Sequence, residues 1–321
     1  MTSFGKIRDR VVNLYKSLLQ FVSHDIWSMD IANFSKIKVK LIRNVKIAII
    51  TSRHFSMDRI GLQAVALSYF ATLAFIPFIA VIFTITNGFG FDSRLRDLLY
   101  MNFSESQEIV NYIITFANNI IETAKKGPYG IISFLVFAWL VIWLMLNVER
   151  AFNEVWKVEK SRKTGKRVIA YISILLFTPF ILIILLATPI LVSSTFNLIG
   201  WGGFFKELSS FVIWLIFFLF ILVIFTAMYK FIPSIKVTLR AAFNASVITS
   251  IAFTLLQFLY METQLFVSRL NGVYGAFAAI PLFMIWINFA WFFILFGAEL
   301  SYAYEHVDNY NTDNYKVFKK I

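Results

Sequence analysis

The amino-acid sequence predicts an all-α, polytopic membrane protein with six transmembrane helices and both termini in the cytoplasm. Three observations predict it. Hydrophobic residues make up 59% of the 321-residue chain and the mean hydropathy is +0.73, whereas soluble domains use roughly 45–50% apolar residues. Six stretches long enough to cross a bilayer carry no charged side chain. The segments between those stretches are alternately rich and poor in Lys and Arg.

The charge-free stretches mark the candidate spans, because a charged side chain at mid-bilayer costs about 2.5–3.5 kcal/mol. They predict helices over residues 62–86, 130–148, 168–193, 211–232, 241–261 and 277–302. Each is close to or above the roughly 20 residues that cross the hydrocarbon. A membrane domain therefore covers residues 62–304, preceded by a segment of residues 1–61 and followed by a tail of residues 305–321.

The distribution of basic residues predicts the orientation. Of the 30 Lys and Arg residues, 24 lie before the first span, between spans two and three, between spans four and five, or after the sixth. Basic residues concentrate on the cytoplasmic side of membrane proteins. Both termini are therefore predicted to be cytoplasmic.

The basic segment of residues 1–61 predicts amphipathic helices on the anionic cytoplasmic leaflet. Apolar residues recur at helical spacing from Phe4 to Leu18, and residues 36–46 alternate charged and apolar side chains. Near anionic lipid, each Lys or Arg gains about 1 kcal/mol. Nucleic-acid binding is the alternative explanation of the net charge of +12. The concentration of Lys and Arg in cytoplasmic segments already accounts for the excess of positive charge. We therefore expect membrane lipids, and no nucleic acid, as partners.

The segment of residues 92–126 is the one sizeable loop predicted on the extracytoplasmic side. Apolar positions from Leu95 to Leu99 and from Val110 to Ile120 predict two amphipathic helices over the bundle. The segment is either a structural lid or a substrate gate, and the pattern favours the lid.

Ionisable side chains at membrane depth are the first functional candidates, because lipid tolerates them poorly. Glu299 lies in the sixth span, Lys230 closes the fourth, and Glu149 and Arg150 close the second. All four are predicted at one level near the cytoplasm. They form either a static brace between helices, a cytoplasmic gate or proton-coupled site, or a set of charges that reach the interface.

Prolines and mid-membrane polar residues are the candidates for a substrate cavity. Four prolines lie inside predicted spans and should bend or break them: Pro77, Pro179, Pro189 and Pro281. Three polar residues at membrane depth are expected to face the bundle interior, since lipid offers no partner: Asn288, Gln257 and Tyr69. Broken helices with such groups line substrate sites in many transporters.

Enzymatic chemistry finds no support in the sequence. There is no cysteine, and His24, His54 and His306 lack the spacing of metal ligands. No Gly-rich phosphate loop, nucleophile elbow or clustered acid pair is present. We therefore expect no catalytic residues, no metal and no cofactor.

Several short motifs resemble those of the YihY/BrkB family of inner-membrane proteins. They keep the family's order across about 240 residues: SYFATLAFIP at 68–77, FNEVW at 152–156, YKFIP at 229–233, VYGA at 273–276, and IP at 280–281 through Trp286 to GAEL at 297–300. The resemblance implies six spans, in agreement with the charge argument. It also implies a bacterial inner-membrane location.

The resemblance implies less about activity. Some relatives have carried a ribonuclease label, but the sequence offers no metal-binding acids or acid–base pair for RNA hydrolysis. The leading hypothesis is a transporter or exporter of a lipid or small solute. The alternative is a non-transporting envelope scaffold or lipid-binding membrane protein. The oligomeric state and the coupling ion are left open.

Overall fold

A computed structural model describes residues 25–28, 34–102, 107–125, 128–158, 204–269 and 279–310, with isolated positions at 20, 165 and between 171 and 188. Apart from one helical turn at Ile26–Ser28 and helical residues between Leu176 and Thr188, the described part contains eight helices. They are α1 (Lys36–Met57), α2 (Ile60–Gly88), α3 (Asp92–Asn102), α4 (Gln107–Lys125), α5 (Pro128–Val155), α6 (Phe204–Phe231), α7 (Leu239–Arg269) and α8 (Ala279–His306). The described regular structure is thus all helical, as predicted.

Within the described part of the chain, three helices have the length and composition to cross a membrane. Their apolar stretches are Phe211–Phe231 in α6, Leu239–Thr263 in α7 and Pro281–His306 in α8. They coincide with the last three predicted spans. The apolar stretches leave many large side chains on the outside, among them Val223, Ile251 and Ile285. An apolar exterior of this kind is expected of helices whose solvent is lipid.

Helix α2 is a fourth candidate, but it is bent. Its halves, Ile60–Phe75 and Pro77–Gly88, meet at 46°. The bend falls at Pro77, which cannot donate a backbone hydrogen bond and whose ring opposes straight helical continuation. Here a predicted helix break is confirmed.

Of the other two predicted spans, one is covered by a described helix and one is described only in part. Helix α5 covers the predicted second span, residues 130–148. Much of the predicted third span, residues 168–193, lies outside the described residues, as do Pro189 and residues 1–19. Pro179 is buried among the helical residues between Leu176 and Thr188. Pro281 lies near the start of the described part of α8, and residues 270–278 before it lie outside the described residues, so a helix break at Pro281 stays a prediction.

The predicted loop of residues 92–126 does contain two helices, α3 and α4. Helix α4 buries Val110, Ile114 and Ala117 in a small apolar cluster with Ile82 and Phe83 near the end of α2. This stripe at helical spacing explains why α4 lies flat on the rest of the molecule.

Helix α8 is central to the bundle, with contacts to α1, α2, α5, α6 and α7. It approaches α6 and α7 closely at Gly297. A Cβ atom added there would lie 2.6 Å from Tyr229 Cζ and would also collide with the Thr249 hydroxyl. Only glycine allows this helix contact.

Candidate functional site

Three ionisable side chains converge where α1, the α1–α2 turn and α8 meet. His54 is on the last turn of α1, Asp58 follows α1, and Glu299 is on α8. Their side chains are 2%, 9% and 0% exposed. One imidazole nitrogen of His54, one carboxylate oxygen of Asp58 and one of Glu299 all lie within 4.8 Å of one another. We call these residues the buried triad.

The contacts of Glu299 leave its carboxylate without a donor. No N–H or O–H group of the described residues reaches either oxygen, and the polar contact of Glu299 is with the carboxylate of Asp58. Asp58 Oδ2 lies 3.5 Å from His54 Nδ1, which is long for a hydrogen bond. Buried polar atoms normally find partners, and leaving one without costs about 1–3 kcal/mol. The triad is therefore a place where a bound species would be stabilising.

Lys157 supplies the positive charge beside the triad through an ion pair with Asp58 Oδ1. Helix α5 ends just before it: the amide of Val158 bonds the carbonyl of Asn153, and the amide of Lys157 bonds that of Glu154. This is the Schellman arrangement, which places Lys157 in the left-handed region with φ 52°.

Arg59 has the same unusual backbone, with φ 50°, and it joins α1 to α2. These two residues are the only non-glycine positions with positive φ in the described part of the chain. Such a conformation costs of order 1–3 kcal/mol and concentrates at functional sites. Both lie next to Asp58, one by sequence and one by ion pair.

The surroundings keep Asp58 ionised. Burial raises the pKa of Asp58, but the polar contacts with His54, Lys157 and Glu299 outweigh burial, and the pKa lies below its ordinary value. Asp58 therefore keeps its negative charge at neutral pH.

The four residues of the predicted gate each have their own set of contacts. Glu299 belongs to the buried triad. Lys230 donates to the carbonyl of Val237 at 3.1 Å. Arg150 is exposed and reaches Asn147 on its own helix, at 3.3 Å. The gate itself stays a prediction.

Glu149, the fourth of them, is a buried acceptor that connects α5 to two other segments. Tyr171 donates its hydroxyl to Glu149, and the Ser234 hydroxyl donates to Glu149 Oε1 at 3.1 Å. One turn along α5, the Asn153 side chain accepts from the Ser234 amide at 2.8 Å and donates to its hydroxyl at 3.1 Å. The α6–α7 turn is thereby held against α5.

The polar residues predicted to line a cavity also have different surroundings. Asn288 of α8 donates to the Ser68 hydroxyl of α2 at 3.3 Å, so it does face another helix. Gln257 is half-buried on α7. The expectation for Tyr69 was wrong, because its side chain is 57% exposed. Tyr69 shares one face of α2 with exposed Leu62, Val65 and Leu73, and its large ring suits an apolar surround.

An apolar groove of about 560 Å³ lies between α1, α7 and α8, next to the triad. It is lined by side chains of α1 and of the membrane helices: Asn44, Ile47, Ala48, Thr51, Ser52, Phe55, Ile248, Phe292, Phe296, Leu300 and Tyr304. The α1 residues Thr51 and Phe55 flank His54 in sequence, and Phe296 and Leu300 flank Glu299. The groove and the triad thus occupy neighbouring faces of the same two helices.

A family profile decides the relationship of this chain to known proteins. The profile described as "Virulence factor BrkB" matches residues 51–320, well over half of the chain. The chain belongs to the BrkB family. The matched region begins within α1 and includes all three residues of the triad.

The BrkB-family chain is also similar to several proteins named UPF0761 membrane protein. The one from Coxiella burnetii RSA 493 is 28% identical over 258 residues, covering 78% of this chain and 89% of that protein. Those from Legionella pneumophila Corby and Psychrobacter sp. PRwf-1 are 26% and 28% identical, and cover 84% and 75% of this chain. The chain spans only 64% and 45% of the length of these last two relatives. No solved structure matches it.

Family membership and apolar helices together make this a membrane protein. Sequence reasoning identified Glu299 and Glu149 but missed their partners His54, Asp58, Tyr171 and Ser234. Asp58 is the one acid within the strongly basic stretch from residue 36 to residue 61 of this BrkB-family chain. That isolation is the one signal which could have drawn attention to it.

Proposed function

We propose that this BrkB-family protein transports a lipid or another small amphiphile across the bacterial inner membrane. The apolar groove beside α1 carries the proposal. Most of its lining is hydrocarbon or aromatic, while Asn44, Ser52 and Tyr304 add polar groups. Such a site suits an acyl chain with a polar end, because ligand pockets are largely apolar with a few orienting polar groups.

Helix α1 supports the proposal as a surface for an anionic head group. Ile37, Leu41 and Val45 form an exposed apolar stripe that runs along α1 toward the groove, and Ile37 is 82% exposed. Lys36, Lys38, Lys40 and other bases surround the stripe. A helix of this kind lies in the interface and attracts anionic lipid. We infer that α1 rests on the cytoplasmic leaflet, with the groove opening toward the lipids.

The bend in α2 supports transport of the amphiphile rather than binding alone. A second cavity, of about 380 Å³, lies between α2 and α4, and Phe75 and Ile79 of its lining stand on either side of Pro77. The first groove lies along α1 and α8, and this cavity lies at the bend of α2. Discontinuous helices commonly form the substrate path of transporters. The proposal includes no catalytic step.

We expect a bulky side chain in the groove to displace the amphiphile. Ser52 lines the groove and is exposed, so Ser52→Trp fills the space without replacing a core side chain. The matched control is Ser56→Trp, since Ser56 is exposed on the same helix but is not part of the groove lining. Mass spectrometry of lipids retained by each purified variant, quantified against bulk membrane extract, measures the result.

A lipid enriched in wild type and in Ser56→Trp, and reduced several-fold in Ser52→Trp, is the expected result. Transfer of that lipid between leaflets of proteoliposomes should fall in parallel. A wild-type lipid profile equal to the bulk membrane would contradict the groove as a substrate site. Specific enrichment without transfer would favour a lipid-binding scaffold over a transporter.

We further propose six spans with both termini in the cytoplasm, which rests on the distribution of basic residues. Because the chain contains no cysteine, single cysteines report topology without background. Ser56→Cys should react with a membrane-impermeant maleimide only in inside-out vesicles. Met101→Cys, which is exposed on α3, should react only in intact spheroplasts. Labelling of both positions from the same side would contradict the topology.

A further inference from the structure

The strongest feature without a role in transport is the buried triad. We propose that His54, Asp58 and Glu299 bind a divalent first-row transition cation, such as Zn²⁺ or Mn²⁺. The spacing of residues 54, 58 and 299 in the sequence gives no sign of such a site. The proposal stands on the fold, which brings the end of α1, the turn after it and the middle of α8 together.

The geometry of the donors suits a metal ion. His54 Nδ1, an oxygen of Asp58 and an oxygen of Glu299 all lie within 4.8 Å of one another. Metal–nitrogen and metal–oxygen bonds of about 2.0–2.2 Å place ligand atoms roughly 3–4 Å apart. Small side-chain rotations would therefore let all three coordinate one ion, with water completing its shell.

The free oxygens of Glu299 point to a ligand independently of the cluster. This carboxylate is 0% exposed, and no donor group among the described residues reaches either oxygen. Asp58 places a negative charge close by and already pairs with Lys157 and with His54. Ionising Glu299 beside the Asp58 charge is costly in a low dielectric unless a cation compensates it. A divalent cation supplies that compensation.

The donor set decides which cations fit. Mixed imidazole and carboxylate ligands suit Zn²⁺, Mn²⁺ and related ions, whereas Mg²⁺ and Ca²⁺ prefer oxygen alone. Lys157 binds Asp58 Oδ1 and leaves Oδ2 facing His54. Lys157 is therefore a positioning residue that orients the Asp58 carboxylate, as groups behind metal ligands commonly do.

Cation binding would join α1 to α8 directly. These two helices also line the groove, so the ion would fix how far α1 stands from the membrane helices. The cation site does not depend on the transport proposal, since metal binding is measured without a substrate. Binding to the folded state alone also predicts a higher unfolding temperature when metal is present.

The test uses the full chain in detergent, purified through a tag without histidine and stripped with a chelator. Equilibrium dialysis against Zn²⁺ or Mn²⁺, followed by elemental mass spectrometry, counts the bound ions. We expect about one tightly bound ion per wild-type chain, and at least about a tenfold loss of affinity in Glu299→Gln and in His54→Gln. Mg²⁺ should not compete.

Two variants are matched controls. His306→Gln removes a histidine of α8 that contacts the Tyr302 carbonyl at 2.9 Å, outside the triad. Glu262→Gln removes an exposed carboxylate of α7. Both should bind the ion as wild type does. Equal affinity in Glu299→Gln and wild type would overturn the proposal, because the ion would then be adventitious.

A measurement on wild type alone covers the case in which the triad variants do not fold. Co²⁺ held in a four- or five-coordinate protein site absorbs visible light much more strongly than six-coordinate Co²⁺ in water or on surface carboxylates. Appearance of that strong absorption with about one equivalent of Co²⁺, and its loss on adding Zn²⁺, is the expected result. A wild-type protein that takes up none of these ions carries a proton on the triad instead, and the proposal is then wrong.

Discussion

Replacing Gly297 by alanine should destabilise the protein by about 1–3 kcal/mol, the usual cost of forcing extra volume into a packed core. The added Cβ would lie 2.6 Å from Tyr229 Cζ. Tyr229 cannot move aside easily: its side chain is 0% exposed, its ring stacks on Phe152, and its hydroxyl donates to the Ile294 carbonyl at 3.2 Å. Thermal unfolding in detergent, followed by fluorescence-detected gel filtration, should show a midpoint several degrees lower.

Gly61→Ala is the matched control for that experiment. Gly61 lies in the first turn of α2, and an added Cβ there meets no atom within 4 Å. Alanine favours helix over glycine by up to about 1 kcal/mol, so this variant should be as stable as wild type or more so. Tyr229→Phe, added to Gly297→Ala, removes one of the colliding atoms and should restore part of the loss. Equal stability of Gly297→Ala and wild type would contradict the close contact of α8 with α6 and α7.

Replacing Glu149 by alanine should have an effect of similar size, a loss of about 3 kcal/mol, because hydrogen bonds to charged groups contribute about 1.5–3 kcal/mol each. The change removes the acceptor of both Tyr171 and Ser234 and leaves their hydroxyls without it. The α6–α7 turn should loosen from α5. Hydrogen exchange of residues 232–238, measured by mass spectrometry, should rise together with a lower unfolding temperature.

Two further variants separate a brace from a gate at this position. Glu154→Ala removes an exposed carboxylate one turn along α5 and should leave stability unchanged. Glu149→Gln keeps one carbonyl oxygen that accepts from one of the two hydroxyls and places an amide donor beside the other, but it loses the charge. If Glu149 is only a brace, Glu149→Gln should retain most of the stability and all of the transfer activity. Loss of lipid transfer in a stable Glu149→Gln would support the predicted gate.

The membrane character of this chain could be predicted from residues alone because it depends on composition and local patterns. Long charge-free stretches mark apolar helices wherever they pack, and α6, α7 and α8 lie where those stretches predicted them. The bend at Pro77 is equally local, since a missing amide hydrogen acts within one turn. The apolar stripes of α3 and α4 likewise mark the one face of each helix that is buried.

The environment of individual side chains was not predictable in this way. Tyr69 was expected inside because it is polar, yet its position on α2 places it with the exposed apolar residues. Whether a helix face meets another helix or lipid depends on how the helices are arranged, and an almost uniformly apolar helix such as α6 carries no periodic signal of that arrangement.

The sequence by itself determined that this is a helical membrane protein of the BrkB family with a basic segment beside its first candidate span. Only the tertiary structure decided which charges meet. Glu299 was predicted at the same level as Lys230, Glu149 and Arg150, and the structure adds His54 and Asp58 as its neighbours, which a depth argument assigns to another segment. Depth is one coordinate, read from position along a helix. Contact also requires the rotation and packing of each helix, and these are determined by side chains hundreds of residues apart in the chain.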